Sequence, residues 1–123
     1  MATDAGLVLI VDDETLNVDL LEQELSAAGY RTLAAQSGED ALALAATSQP
    51  DLILLDVMMA GIDGYETCGR IKASASTRAI PVIFLTALKD TFDKVRAFRL
   101  GAVDYVTKPF ETEELLARVG AHI

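Results

Sequence analysis

Asp12 and Asp13 close one short apolar run, "LVLIVDDE", and Asp56 closes another, "DLILLDVMMAGIDGYE". An acid where the next buried residue of a strand belongs needs a reason, because desolvating a carboxylate is costly unless it is paired. If the two runs are neighbours, three or four carboxylates meet in one small volume: Asp12, Asp13 and Asp56, with Glu14 just beyond. Each would raise the pKa of the others and weaken the fold unless a cation sat among them. The ligand set is all oxygen, with no His or paired Cys nearby, which favours Mg2+ or Mn2+ over zinc. A carboxylate beside a phosphate-binding metal can itself attack phosphorus and form an aspartyl phosphate. Asp56 stands alone at its strand end and is the nucleophile candidate, whereas the Asp12 and Asp13 pair is suited to holding metal.

Two more apolar runs end in groups that would complement an incoming phosphate. "FLTA" offers the Thr86 hydroxyl followed by the small Ala87, and "YVTKPF" offers the Lys108 ammonium. Together with a divalent ion they would neutralise the roughly −1.5 to −2 charge of a phosphorylated side chain. Singly, each residue has an ordinary explanation: an acid that caps a turn, a threonine satisfied locally, a lysine before a loop proline. Jointly they stand at the ends of four separate predicted strands, and that pattern favours a site.

The elements that must position these groups alternate along the chain. Apolar runs at 7–12, 30–35, 51–56, 80–86 and 102–107 read as strands, with Pro81 early in the fourth. Between them lie stretches with apolar residues at helical spacing: Thr15 to Ala28, Ser37 to Ala46, Gly64 to Ala73, Thr91 to Leu100 and Thr112 to Ile123. In the first, Leu16, Leu20, Leu21 and Leu25 are expected on one buried stripe, with Gly29 ending the helix. "SGED" predicts Ser37 as the N-cap of the second, and Gly101 closes the fourth. Strand and helix alternation predicts a parallel sheet covered on both faces. Right-handed crossovers then bring the carboxyl ends of all strands to one edge, where ligands bind.

Size and composition fit this single domain over residues 1–123, with 51% hydrophobic and 24% charged residues. The formal charge of −9 opposes direct nucleic-acid binding, which needs a basic surface. No apolar stretch approaches the ~20 residues that span a bilayer, so no membrane contact is expected. The N-terminus lacks the basic flank of a secretion signal, and the lone Cys68 fits a reducing compartment. A cytoplasmic location is expected, with Cys68 a small structural side chain on a helix.

These segments resemble the receiver domain of two-component response regulators over essentially the whole chain: "LVLIVDDE", "DLILLDVMMAGIDGYE", "FLTA" and "GAVDYVTKPF" stand where that family has its motifs. The resemblance implies a flavodoxin-like, doubly wound (βα)5 fold with strand order 2-1-3-4-5. It also implies that Asp56 is the phosphoacceptor, that Asp13 and Asp56 bind Mg2+ directly with the Met58 backbone carbonyl, and that Asp12 acts mostly through water. Thr86 would follow the phosphoryl group, Lys108 would pair with it, and Tyr105 would change rotamer with Thr86. The Lys108 to Pro109 bond is typically cis in the family.

The partners implied are a sensor histidine kinase or histidine phosphotransfer protein, and an output domain or effector protein controlled through the surface of the fourth helix, fifth strand and fifth helix. Homodimers often form on that surface in the family. Lys94, Arg96 and Arg99 read as a solvated face there, while Phe92, Val95 and Phe98 could serve the core or an exposed contact. The chain departs from the family's "MMPG" with Ala60, which is expected to loosen the loop after Asp56 without removing a reacting group. Met58 is apolar and cannot align an attacking water, which implies a long-lived acyl phosphate. Such a domain is not an enzyme on other substrates; it catalyses only its own phosphorylation and dephosphorylation. The rival readings are a Mg2+-dependent phosphohydrolase, which would need a second acid where Met58 stands and a cap domain, and a degenerate receiver used only for docking.

Overall fold

The computed structural model describes residues 5–87 and 92–123. Five strands, β1 (Leu7–Val11), β2 (Arg31–Ala35), β3 (Leu52–Asp56), β4 (Val82–Ala87) and β5 (Asp104–Lys108), alternate with five helices. The helices are α1 (Thr15–Ala27), α2 (Gly38–Ser48), α3 (Gly64–Ala73), α4 (Lys94–Arg99) and α5 (Thr112–His122). All neighbouring strands are parallel, in the order β2-β1-β3-β4-β5. This is the flavodoxin-like arrangement expected.

The apolar runs are unbroken because the central strands are covered on both faces. All five residues of β3 are buried, and their alternating side chains divide between two cores. Leu9, Val11, Ile53, Leu55 and Phe84 meet Ala41, Cys68, Ile71 and Ala97 from α2, α3 and α4 on one side. Val8, Ile10, Leu52, Leu54, Ile83 and Leu85 meet Leu21, Leu25, Leu115 and Val119 from α1 and α5 on the other. Each large side chain removed from water in this way contributes about 1.5–3 kcal/mol. β2 lies at the edge, and Arg31 and Ala34 are exposed on it, which explains its weaker apolar pattern.

Local signals set the helix ends. The Ser37 hydroxyl accepts from the Asp40 N–H at 3.1 Å, as "SGED" predicts, and α2 then runs two residues beyond Ala46. Asp63 and Asp93 cap α3 and α4 in the same way, each at 2.9 Å. Gly29, at φ +97°, turns the chain after α1. Of the predicted fourth helix, Thr91 lies outside the described residues, and α4 starts at Lys94.

Two expectations change. Pro81 precedes β4 instead of lying in it, since a proline nitrogen has no hydrogen to give the ladder. Leu16 and Leu20 are not core: they are 83% and 47% exposed, and Val18 takes the buried position with Leu21 and Leu25. Residues 16 and 20 lie one turn apart on the face of α1 opposite Val18. Cys68 is buried on α3, and its thiol is pushed up to about 11 by burial, only partly offset by Lys72. Among the described residues no helix is long and apolar enough to cross a membrane.

Candidate functional site

The register of β1 against β3 sets the acids together. Val11 pairs with Leu55, so the next residues, Asp12 and Asp56, leave the sheet side by side. Asp12 is fully buried, Asp56 is 6% exposed, and Asp13 is open to solvent. One carboxylate oxygen of each residue lies within 4.8 Å of the others.

Lys108, at the end of β5, reaches over this cluster. Its Nζ stands 3.1 Å from Asp12 Oδ2 and 3.3 Å from Asp56 Oδ1. Asp12 is further held by the Glu14 N–H at 2.9 Å and the Asn17 side-chain amide at 3.3 Å. The Asp56 carboxyl is pushed up to about 6, first by burial and then by Asp12, with Lys108 pulling it back and Asp13 adding to the rise. Burial works against the Lys108 charge, yet Asp56 and Asp12 together raise its pKa above the ordinary lysine value. Two buried carboxylates thus share one ammonium, with the Asp13 carboxylate beside them. The shortfall of positive charge, in an all-oxygen donor set, is what a hard divalent cation would satisfy, so Asp12, Asp13 and Asp56 could hold a metal.

The remaining candidates surround the cluster. Thr86 is buried on β4, one residue beyond Leu85, which pairs with Asp56. Among the described residues its hydroxyl makes one long contact, 3.5 Å to the Ala87 carbonyl. The Met58 side chain is 60% exposed in the loop after β3. That loop is confined at its far end: a Cβ on Gly64 would lie 2.2 Å from the Asp56 carbonyl oxygen, and the Gly64 N–H donates to the Val57 carbonyl at 2.8 Å. The Lys108 to Pro109 bond is cis.

Tyr105 is half-buried on β5 in an aromatic row. Its ring centroid lies 5.1 Å from that of Phe92, which packs against Phe84 and Tyr65 at 5.8 and 6.2 Å. Cations cover both ends of the row: Lys94 Nζ lies 5.1 Å from the Tyr105 centroid, and the Arg96 guanidinium 4.3 Å from that of Tyr65. The Tyr65 hydroxyl also accepts from the Asp93 N–H at 2.9 Å, tying α3 to the start of α4. Lys94, Arg96 and Arg99 are exposed as expected; Phe92 packs inward, while Val95 and Phe98 are 60% and 46% exposed.

Three contributors escaped the sequence reading, the Glu14 N–H that holds Asp12 among them. Asn17 could have been suspected as a polar residue in the first turn of the helix that follows Asp12 and Asp13. The Ala60 N–H, 3.4 Å from Asp13 Oδ2, could not, because a backbone donor leaves no mark on residue type.

With this geometry in view, comparison with known proteins is decisive for the family. The family model described as the response regulator receiver domain matches residues 8–120. The chain belongs to that family. It is 46% identical over 112 residues to the response regulator PleD of Caulobacter vibrioides, covering 91% of this chain and 25% of PleD. It is also 46% identical over 114 residues to the DNA-binding dual master transcriptional regulator RpaA of a Synechocystis species, covering 93% of this chain and 47% of RpaA. The chain therefore spans about a quarter and about half the length of these curated relatives. Among solved structures, the Vibrio cholerae chemotaxis protein CheY4 superposes with a TM-score of 0.89 at 29% identity, covering 96% of this chain and 98% of that one. Receiver domains of response regulators serve two-component signalling, working with sensor kinases and output domains.

Proposed function

We propose that the domain is a phosphorylation switch in which Asp56 accepts a phosphoryl group from a phosphohistidine of a sensor kinase or phosphotransfer protein. The observation that carries this reading is the convergence of Asp12, Asp13, Asp56 and Lys108 at the carboxyl edge of the sheet. An Asp56 carboxylate oxygen attacks phosphorus in line with the leaving imidazole; the P–O bond forms as the P–N bond breaks, and the departing nitrogen keeps the electron pair and takes a proton from solvent. Asp13, Asp56 and the Met58 carbonyl would hold Mg2+, or Mn2+ in its place, with Asp12 acting through water. When bound, that ion supplies a Lewis acid that neutralises phosphoryl charge. Lys108 would follow the negative charge from Asp56 to the new phosphoryl oxygens, and Thr86 would donate its hydroxyl to them.

Movement of Thr86 and Lys108 would then bias the α4, β5 and α5 surface through Tyr105, whose ring Lys94 covers. Turning such a switch from mostly off to mostly on requires phosphorylation to favour one state by about 5 kcal/mol. The output partner reads that surface, with Val95 and Phe98 exposed on it, and homodimerisation would use the same residues. The domain acts on no other substrate; it catalyses its own phosphorylation and dephosphorylation. We place it in the cytoplasm, where a phosphohistidine donor and a reduced Cys68 thiol belong together.

Incubation with acetyl phosphate followed by intact-mass measurement tests the proposal. One phosphoryl group is expected with Mg2+ and none with excess chelator; uptake unaffected by chelation would overturn the metal-assisted mechanism. Steady release of phosphate from an external phosphomonoester would instead indicate a hydrolase. A second result concerns lifetime. Met58 is exposed beside the acceptor yet offers no polar atom to align water. Once phosphorylated protein is chelated, Met58→Asn should therefore lose its phosphoryl group several-fold faster than wild type, and slower loss would contradict the assignment.

A further inference from the structure

We infer that the backbone N–H of Ala60 is a positioning group for the metal site, acting through the Asp13 carboxylate. The inference rests on the proposed role of Asp13 as a direct ligand. Asp12 has three donors, from Glu14, Asn17 and Lys108, and Asp56 has Lys108. Asp13 is the exposed member of the cluster, and among the described residues the Ala60 N–H is its one donor, at 3.4 Å from Oδ2. An exposed aspartate without that contact is free to sample rotamers that point into water. Holding one oxygen leaves the other for a cation, and this is how hydrogen bonds behind a ligand raise metal affinity. The contact also spans from the loop after β1 to the loop after β3, 47 residues apart. Asp13 is thereby tied to the loop that follows Asp56, the other proposed direct ligand, and not merely to its own loop.

This account differs in sign from one based on loop stiffness. If Ala60 matters only by loosening the loop, then Ala60→Pro should tighten metal binding and Ala60→Gly should weaken it. If the N–H matters, proline, which has none, should weaken binding, and glycine, which keeps it, should not. Proline is also the residue that the family resemblance leads one to expect at this position, so the loop should accept it.

The test is Mn2+ titration followed by electron paramagnetic resonance, on wild type, Ala60→Pro, Ala60→Gly, Asp13→Ala and the Asp13→Ala, Ala60→Pro double variant. Ala60→Pro should raise the Mn2+ dissociation constant about three- to tenfold, at or below the low end of losses for groups that orient a ligand, because the contact is long. Ala60→Gly should stay within about twofold of wild type, and Ala60→Pro should have no further effect once Asp13 is alanine. In metal-free protein the Ala60 amide should exchange with solvent more slowly in wild type than in Asp13→Ala, a readout that holds even if the proline variant folds poorly. If Asp13→Ala weakens Mn2+ binding while Ala60→Pro does not, or if the Ala60 amide exchanges equally fast in both proteins, the inference is overturned alone. If Asp13→Ala binds Mn2+ as wild type does, the ligand reading fails and takes the inference with it.

Discussion

Asp56→Asn should abolish phosphoryl uptake and, in chelator at pH 7, make the domain more stable by about 2 kcal/mol. The loss of uptake follows from removing the carboxylate proposed to attack phosphorus. The gain in stability follows from the environment. Burial and the Asp12 charge lift the Asp56 carboxyl from 3.8 to about 6 in the folded protein, so the folded state binds a proton more tightly than the unfolded chain does. The stabilising contribution of that protonated group is fully present below pH 3.8 and is lost as pH rises through about 6. Wild type without metal should therefore weaken across this window, while Asp56→Asn, with no proton to lose there, should not weaken from this cause. Urea unfolding from pH 4 to 8 in chelator measures it. A variant less stable than wild type at pH 7 would mean that the Lys108 to Asp56 ion pair outweighs the burial of the acid.

Lys108→Ala is expected to act in the opposite direction on stability and the same direction on chemistry. Its ammonium is the single cation within ion-pair distance of Asp12 and Asp56 among the described residues. Removing one partner of a buried pair leaves an uncompensated charge, and we expect the metal-free fold to lose about 3 kcal/mol. Mg2+ should restore part of that loss by supplying charge from the solvent side. It should not restore the rate: phosphorylation by acetyl phosphate should fall roughly 100- to 1,000-fold, as when a preorganised donor to developing charge is lost. Unfolding with and without Mg2+, together with initial rates of phosphorylation, separates the two effects. A variant as stable as wild type in chelator would show that the acids had found another partner or protonated at little cost.

The site was legible where residue type and spacing determine it. Strand β3 could be read as buried on both faces because its apolar run does not alternate, and that reading alone makes Asp56 anomalous. The meeting of Asp12, Asp13 and Asp56 required the β1 to β3 pairing, which came from resemblance and not from the residues. Helix α1 shows where periodicity misleads. Leu16 and Leu20 satisfy a helical spacing with each other, but Val18, Leu21 and Leu25 form the stripe that the sheet covers, and only the packing chooses between them. The Ala60 and Glu14 amides that hold Asp13 and Asp12 were invisible for a different reason: every residue but proline carries that donor, so the sequence does not say which are used.

The aromatic row between α3 and β5 has a spectroscopic consequence. The chain has no tryptophan and three tyrosines, and two of these, Tyr65 and Tyr105, form the ends of the row, each lying beneath a cation. Near-ultraviolet absorption and emission of the unlabelled protein are therefore dominated by chromophores that border the proposed output face. Any rearrangement there carries its own optical signature, with Tyr30, packed against the opposite core, as the internal reference.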